Sequence, residues 1–259
     1  MRKLLMTHSY FDLYGCKALV CGGAGDLGGA IVGALHEAGI EVVVLDHRPD
    51  MDQWAIEHKK GQDPLLEGIQ VDLADRGDLV RGFNQAVQIL GDLDILVNCQ
   101  GIQRRYPVED FPLDVWDEII EINLTSVFEI CQLAGRQMLK TGHGKIINIA
   151  SMQSFNGGVN IPAYAASKGG VAILTKSLCN AWAGRGINVN AIAPGYFDTK
   201  MTAGVKADPV RYQQILARIP TGRWGNLDDI CGPLLFLASP ASDYLNGVIL
   251  PVDGGMLST

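Results

Sequence analysis

Short runs of apolar residues alternate along the chain with longer segments in which apolar positions recur every three or four residues. The short runs have the length and the β-branched content of buried strands. Apolar residues at helical spacing, for example Leu79, Phe83 and Val87, predict helices that pack on a sheet. Seven strands are predicted, at residues 18–21, 42–46, 69–72, 95–98, 145–151, 188–194 and 248–252.

The alternation of strands and helices is typical of a parallel sheet with helices on both faces. It predicts an α/β fold with one domain over residues 1–259 and a seven-stranded, mostly parallel, doubly wound sheet. No repeat, low-complexity tract or linker divides the chain. The least regular segment, at about 198–224, follows the sixth strand. Because ligands bind at the carboxyl ends of such strands, we expect this segment to be a substrate lid.

Charge and composition limit the partners of this chain. Its 259 residues carry a formal net charge of -7, whereas nucleic acids and anionic membranes are bound by clustered Lys and Arg. No run reaches the ~18 apolar residues of a membrane span, and the apolar run at the N-terminus is too short for a secretory signal. The six cysteines show no metal-ligand spacing. We expect a cytoplasmic protein with no metal, nucleic acid or membrane partner.

The first predicted strand leads into a glycine-rich turn that opens a helix. Glycines let the backbone approach a pyrophosphate, and the helix N-terminus offers free N–H groups. The candidates for cofactor binding in this turn are Gly22, Asp26, Leu27 and Gly28. Asp46 ends the second strand, where a carboxylate accepts hydrogen bonds from ribose hydroxyls and repels a 2′-phosphate. NAD(H) is therefore favoured, although Arg48 keeps NADP(H) possible. The alternative is an ordinary flexible turn.

Asp72 closes the third predicted strand, with Leu73 beside it. The pair suits the amino group and the ring face of an adenine, so both residues are candidates for cofactor binding. A solvated carboxylate at the end of a strand accounts for Asp72 equally well.

Tyr164 and Lys168 are four residues apart in a helical segment, so their side chains leave the same face. A nearby ammonium, together with an oxidised nicotinamide, stabilises a phenolate and lowers the tyrosine pKa. Tyr164 then takes the proton of an alcohol while hydride leaves for the nicotinamide. Ser151, at the end of the fifth strand, is placed to hold the substrate oxygen, and Ser154 is its rival. An exposed helical pair is the alternative.

Taken in order along the chain, these residues resemble the pattern of the short-chain dehydrogenase/reductase family. The resemblance covers nearly the whole chain and implies a Rossmann fold with an Asn-Ser-Tyr-Lys tetrad. In that tetrad Asn123 kinks a helix and holds the water of a proton relay through Lys168. The pattern comprises the glycine-rich turn, Asp46, Asp72, Asn98, Gly101, Asn123, Ser151, Tyr164, Lys168, Pro194 and Gly195.

The resemblance also assigns roles after the fourth and sixth strands. It implies cofactor contacts from Asn98 and Gly101, and a homotetramer whose interfaces include the tail at 252–255. The residues it places on the nicotinamide side are Pro194, Gly195, Phe197 and Thr199.

Asp26 departs from the family pattern, which has a glycine at that place in the turn. An acidic side chain beside a diphosphate is repulsive. We therefore expect Asp26 to turn back and cap the helix that follows.

Several segments, among them 144–152, 192–196 and 219–225, resemble the branch of the family that acts on 2-dehydro-3-deoxy-D-gluconate and 2-deoxy-D-gluconate. An acidic sugar needs a fixed cation, and arginine offers a two-pronged donor. Arg104, Arg105 and Arg223 are candidates for the anchor, with Gln153 bonding a sugar hydroxyl. Each arginine is otherwise a surface charge or an inter-subunit ion pair.

Three other functions fit the same pattern. The fold and tetrad do not fix the substrate, so a reductase of 3-oxoacyl thioesters or of neutral sugars is possible. A non-catalytic NAD-binding regulator would keep the fold without turnover, and a structural module would leave the tetrad unused.

Overall fold

The computed structural model describes residues 10–59 and 64–258. Residues 1–9, on which the signal-peptide argument rests, lie outside the described residues. Seven strands form one sheet in the order β3-β2-β1-β4-β5-β6-β7, and every neighbouring pair is parallel. The strands are β1 Lys17–Cys21, β2 Glu41–Asp46, β3 Leu66–Gln70, β4 Ile95–Asn98, β5 Gly144–Ile149, β6 Ile187–Pro194 and β7 Ile249–Val252.

Helices cover both faces of the sheet, as predicted. None in the described ranges is both long and apolar enough to cross a membrane. A π-helical turn, Glu121–Thr125, joins two of them. The helices are α1 Asp26–Glu37, α2 Met51–His58, α3 Arg76–Leu90, α4 Leu113–Ile120, α5 Ser126–Thr141, α6 Pro162–Trp182, α7 Ala203–Lys206, α8 Pro209–Leu216 and α9 Cys231–Ala238.

Alternate residues of each strand belong to two separate cores. Along β1, Leu19 packs into one core with Phe83 of α3, whereas Val20 packs into the other with Ile31 of α1 and Leu234 of α9. Strands buried on both faces are apolar throughout, which explains why their side chains show little polar alternation. The seven-stranded, doubly wound α/β fold is therefore confirmed.

Most predicted strands agree with the structure to within one residue, although β5 ends at Ile149 rather than at residue 151. Two larger differences remain. β3 covers Leu66–Gln70 rather than 69–72, because this edge strand carries exposed polar residues that hide its apolar pattern. A side chain at Gly68 would meet α2, since an added Cβ would lie 2.4 Å from the carbonyl oxygen of Met51. The second difference is in 198–224, which contains α7 and α8 instead of irregular backbone.

The order of the strands locates the ligand site. The chain runs from β1 outward to β3 and then resumes on the other side of β1 at β4. At such a switch point the loops after neighbouring strands separate and leave a crevice at the carboxyl ends.

Candidate active site

A cavity of about 1100 Å³ follows the carboxyl ends of the strands. It extends from Asp46 and Asp72, past the glycine-rich turn, to Tyr164 and Arg105. One continuous cavity therefore includes most of the predicted nucleotide residues together with Ser151, Tyr164 and Lys168 of the predicted tetrad. No cluster of three or more His, Cys, Asp or Glu side chains in the described ranges is arranged to hold a metal ion.

The glycine-rich turn is packed so closely that side chains are excluded at two positions. Gly22 has a φ of 72°, and a Cβ there would lie 2.6 Å from the Cα of Gln100. A Cβ at Gly28 would lie 2.3 Å from the carbonyl oxygen of Gly22. The bare backbone of this turn and the N-terminus of α1 form a cradle that fits a pyrophosphate.

Asp26 does not cap α1, so that prediction is wrong. The N-cap residue is Gly25, and no side chain caps the helix. Asp26 is the first helical residue, and its Oδ2 accepts a hydrogen bond of 2.6 Å from the amide of Lys200, in the segment after β6. The partner of Asp26 is 174 residues away.

Asp46 lies at the end of β2, as predicted, and lines the cavity. Its side chain is buried, and its Oδ2 accepts a hydrogen bond of 3.0 Å from the amide of Ala24 in the turn. Arg48 also lines the cavity, but its Nε and Nη2 atoms lie 3.0 and 2.7 Å from the two carboxylate oxygens of Asp50. The Arg48 guanidinium is therefore already paired.

Asp72 and Leu73 both line the cavity, two and three residues beyond the end of β3. Asp72 accepts a hydrogen bond of 2.9 Å from the amide of Ala74, and its own amide donates to the carboxylate of Asp78 at 2.7 Å. This hydrogen bond and the guanidinium of Arg81 lower the pKa of Asp78. Asp72 thus shapes the loop while it faces the cavity.

Asn98 has a structural position instead of the predicted cofactor contact. It does not line the cavity, and its Nδ2 atom donates to Asn148 at 2.8 Å inside the core. Its direction follows from the pleat of β4, which turns it toward β5 and α5. Gly101 does line the cavity, where an added Cβ would lie 3.4 Å from the Nζ of Lys168 and 3.5 Å from the Oδ1 of Asn123.

Tyr164 and Lys168 are brought together on one face of α6, which begins at Pro162. Both line the cavity, and the Nζ of Lys168 lies 6.0 Å from the centre of the Tyr164 ring. The Lys168 side chain is buried and donates a hydrogen bond of 2.6 Å to the carbonyl of Ile149, at the end of β5. The helical pair is therefore not an exposed surface feature.

The protein groups around Tyr164 raise its pKa. Burial raises the pKa of Tyr164, and a hydrogen bond with Ser151 opposes that increase only in part. Burial also lowers the pKa of Lys168 to about 8. Both shifts favour the neutral forms. The expected lowering of the Tyr164 pKa needs an oxidised nicotinamide as well as the ammonium of Lys168, so it stays a prediction.

The structure distinguishes Ser151 from its rival Ser154. Ser151 lines the cavity, and its hydroxyl accepts a hydrogen bond of 3.1 Å from the amide of Gln153. Ser154 instead donates to the carbonyl of Lys168 at 2.7 Å and accepts from the amide of Ser151. Ser154 therefore supports the backbone of the site, and Ser151 presents a hydroxyl to the cavity.

Asn123 lies in the π-helical turn between α4 and α5, so the implied kink is present. The residue is fully buried, and its Oδ1 and Nδ2 atoms bond the amide and carbonyl of Ile102 at 2.8 and 2.9 Å. Nδ2 also lies 3.1 Å from the Oγ of Ser167. Asn123 thus fixes the loop after β4 beside α6.

The residues expected on the nicotinamide side are all at the cavity. The turn after β6 is close to the C-terminal segment, since a Cβ at Gly195 would lie 2.8 Å from the Cα of Asp253. The four cavity-lining residues are Pro194, Gly195, Phe197 and Thr199.

The three predicted anchor arginines differ in position. Arg223 does not line the cavity and is paired with both carboxylate oxygens of Asp229 at 2.6 and 2.9 Å, so its assignment is withdrawn. Arg104 lines the cavity, but lies 3.6 Å from a carboxylate oxygen of Glu118. Arg105 lines the cavity and donates to the carbonyl of Val159.

Arg105 has an unusual electrostatic environment. Partial burial and the neighbouring guanidinium of Arg211 lower its pKa. Within the described ranges, no ion pair is found between Arg105 and a carboxylate. A cation in this position is stabilised by any anion that enters the cavity.

Sequence reasoning missed part of the cavity wall on the side of Arg105 and Gln153. Tyr196 lines the cavity and packs against Trp224, with ring centres 5.3 Å apart, and Trp224 packs in turn on Tyr212 of α8. The only sequence signal was the position of Tyr196 directly after Pro194 and Gly195. Gln153, which was predicted, also lines the cavity, and its Oε1 atom is buried without a hydrogen-bond partner.

The doubly wound fold, the glycine cradle and the Tyr-Lys pair together define a known class of protein. A family model described as enoyl-(acyl carrier protein) reductase matches residues 22–257. The chain belongs to the short-chain dehydrogenase/reductase family, as the sequence pattern predicted.

Individual relatives are similar over almost their whole length. The chain is 46% identical over 252 residues to the 2-dehydro-3-deoxy-D-gluconate 5-dehydrogenase of Bacillus subtilis (strain 168), which covers 97% of this chain and 98% of the relative. It is 37% identical to the 5-keto-D-gluconate 5-reductase of Escherichia coli (strain K12), over 95% and 97% of the two chains.

One solved relative also shows the fold with ligands. The crystal structure of a gluconate 5-dehydrogenase from Burkholderia cenocepacia J2315 in complex with NADP and tartrate has a TM-score of 0.90 at 37% identity. The match covers 97% of this chain and 100% of that one.

Proposed function

We propose that the protein is an NAD(H)-dependent oxidoreductase that interconverts a secondary alcohol and a ketone on an acidic sugar of the 2-dehydro-3-deoxy-D-gluconate or 2-deoxy-D-gluconate type. The observation that carries this proposal is the shared cavity. Tyr164, Lys168 and Ser151 face the same space as the glycine cradle, and Arg105 lines that space as well. Relatives with sugar-acid names support the choice of substrate.

The residues around the cavity fit a nicotinamide dinucleotide. The cradle at Gly22 and Gly28 suits the pyrophosphate, Asp46 suits the adenosine ribose, and Thr199 suits the nicotinamide side. When bound, such a cofactor accepts or supplies the hydride. The protein supplies the position of the substrate and the path of the proton.

Tyr164 is the general acid and base in this proposal. In the oxidation its phenolate oxygen takes the alcohol proton, and in the reduction its hydroxyl gives a proton to the ketone oxygen. The Ser151 hydroxyl holds the same substrate oxygen. Because burial lowers the pKa of Lys168 to about 8, its ammonium is able to exchange a proton near neutral pH. Lys168 and the π turn at Asn123 then form the relay to solvent.

Arg105 is the proposed anchor of the sugar-acid carboxylate, with Arg104 beside it. Arg105 lines the cavity, has Arg211 for a neighbour and is not paired with a carboxylate in the described ranges, so the substrate anion would provide the missing partner. The buried Oε1 atom of Gln153 is ready to accept a hydrogen bond from a sugar hydroxyl.

The preference for NAD(H) over NADP(H) rests on the end of β2. The carboxylate of Asp46 repels a 2′-phosphate, and Arg48 is already held by Asp50. NADP is named as the cofactor in the Burkholderia cenocepacia structure, so the two cofactors have to be compared directly. We also propose that 198–224 is the substrate lid and that the enzyme is a cytoplasmic homotetramer.

A rate screen with purified protein tests the function. Nicotinamide absorbance is followed with NAD(H) and NADP(H) against keto-deoxy sugar acids, D-gluconate, neutral sugars and an acetoacetyl thioester. We expect the highest kcat/KM with a sugar acid and NAD(H). A preference for the thioester or a neutral sugar would contradict the substrate, and binding of NADH without turnover of any compound would favour the regulator.

A further inference from the structure

The hydrogen bond between Asp26 and Lys200 joins two parts of the cavity that are far apart in sequence. Lys200 begins a single helical turn, Lys200–Thr202. The first N–H groups of a helical turn have no acceptor inside that turn. Asp26, at the start of α1, supplies the missing acceptor at 2.6 Å, from 174 residues away.

The turn after β6 is otherwise held by its own residues. The amide of Thr199 donates to the Oγ1 of Thr202 at 3.2 Å, and the hydroxyl of Thr202 donates to the carbonyl of Phe197 at 2.6 Å. In the part of the chain that the structure describes, this turn also makes local hydrogen bonds, among them one from the amide of Ala203, at the start of α7, to the carbonyl of Lys200. Asp26 therefore links this turn to the nucleotide half of the domain.

The same carboxylate has an electrostatic effect on the cradle. A negative charge in the first turn of α1 is favourable for the helix, because it interacts with the positive end of the helix dipole. That positive end is also the part of the cradle that binds phosphate oxygens. Asp26 lines the cavity, so its negative charge repels a bound pyrophosphate and offsets part of the positive potential at the N-terminus of α1. Glycine at this position has neither the hydrogen bond nor the repulsion.

We propose that Asp26 is a positioning residue that acts through Thr199. Its carboxylate holds the turn at 199–202 against α1 and so fixes Thr199 at the cavity, while its charge weakens the binding of dinucleotide phosphates. The inference rests on the proposed function, because the contact between Thr199 and the nicotinamide side is part of that function.

Asp26→Ala and Asp26→Asn separate the two effects. Alanine removes the acceptor and the charge, whereas asparagine keeps an acceptor oxygen and loses the charge. Asp52→Asn, in the first turn of α2 and outside the cavity lining, is the matched control for loss of one negative charge.

Hydrogen exchange of the free protein is the direct test, since it needs neither cofactor nor activity. In Asp26→Ala we expect the amides of residues 199–202 to exchange about tenfold or more faster than in the wild type, because a charge-assisted hydrogen bond is lost. Asp26→Asn should exchange at least about threefold more slowly than Asp26→Ala, since a neutral hydrogen bond remains. Asp52→Asn should match the wild type.

Cofactor titration and kinetics give a second readout. Asp26→Asn should bind NADH about two- to fivefold more tightly, because only the repulsion is removed. Asp26→Ala should lower kcat about tenfold with little change in the KM of the sugar acid, and Asp26→Asn should restore most of that loss.

Equal hydrogen-exchange rates in Asp26→Ala and the wild type, or in Asp26→Asn and Asp26→Ala, would overturn the proposal. A wild type without turnover would instead contradict the proposed function and leave the exchange result intact.

Discussion

Different groups face the cavity at the glycine-rich turn, which we call the nucleotide end, and around Arg105 and Tyr196, which we call the sugar end. At the nucleotide end the glycine-rich turn presents bare backbone to the cavity, because Gly22 and Gly28 leave no space for side chains. At the sugar end the wall consists of long side chains such as Arg105 and Tyr196, which come from separate loops. Substitutions at the nucleotide end should therefore act through steric exclusion, with large effects. Those at the sugar end should each remove one interaction.

Gly28→Ala should have the largest effect on cofactor affinity and provides the most severe test of this contrast. The added methyl group would lie 2.3 Å from the carbonyl oxygen of Gly22 and 2.8 Å from the Cα of Gly23, both in backbone. We expect the affinity for NADH, measured by fluorescence titration, to fall on the order of 100-fold.

Gly29→Ala is the matched control, since its added Cβ would meet only the carbonyl oxygen of Gly23, at 4.0 Å. It should bind NADH within about threefold of the wild type. Similar losses in both variants would show that the cradle does not depend on close backbone contact at Gly28.

Lys168 connects the two ends and should have the next largest effect, on stability rather than affinity. Its pKa falls from 10.5 to about 8 on folding, so the unfolded chain binds more protons between these pH values. The free energy of unfolding therefore rises with pH across that window. Between about pH 8 and pH 10.5 the free energy of unfolding should increase by about 3 kcal/mol.

The comparison with Lys168→Met isolates this effect, because the raised pKa of Tyr164 is common to both proteins. We measure the free energy of unfolding of both proteins in urea from pH 7 to pH 10.5. Over this range the value of the wild type should rise by about 3 kcal/mol relative to that of the variant. Parallel pH profiles of the two proteins would mean that Lys168 is not buried as an ammonium.

Arg105→Met tests the sugar end. Loss of the anchor should lower kcat/KM for a sugar acid about 10- to 100-fold and leave that for a neutral polyol nearly unchanged. Arg223→Met is the control, since Arg223 is paired with Asp229 outside the cavity lining. An equal loss for the acid and the polyol in Arg105→Met would argue against a carboxylate anchor.

Asp50→Ala should have the smallest effect. It releases the guanidinium of Arg48 from its ion pair at the surface. Surface ion pairs of this kind contribute little free energy. We expect the Kd of NADPH to fall about two- to fivefold while that of NADH stays within about twofold. Tighter binding of both cofactors to the same extent would show that Arg48 does not discriminate between them.

Local patterns in the sequence were sufficient to predict the sheet and the central site. Both ends of β4 were predicted correctly, because its apolar run is short and fully buried. Helical spacing placed Tyr164 and Lys168 on one face, and the glycine-rich turn, Ser151 and the family resemblance favoured a catalytic role for the pair. The edge strand β3 was misplaced, since its exposed polar residues conceal the strand.

Two predictions about the partners of charged side chains were wrong. Asp26 was expected to bond its own helix, but it bonds Lys200, which is 174 residues away. Arg223 was expected at the cavity, yet Asp229 holds it elsewhere. The direction of the Tyr164 pKa shift depends on burial, which a four-residue spacing does not show. Pairing and burial arise only when the whole chain has folded.

The kcat of Tyr164→Phe, measured with saturating NAD(H) and the preferred sugar acid, tests the central claim most directly. Phenylalanine keeps the ring in its place beside Lys168 and removes only the hydroxyl that moves the proton. We expect kcat to fall about 10²- to 10⁴-fold while the Kd of NADH stays within about threefold. A variant that keeps the kcat of the wild type would contradict the role of Tyr164 as the general acid and base.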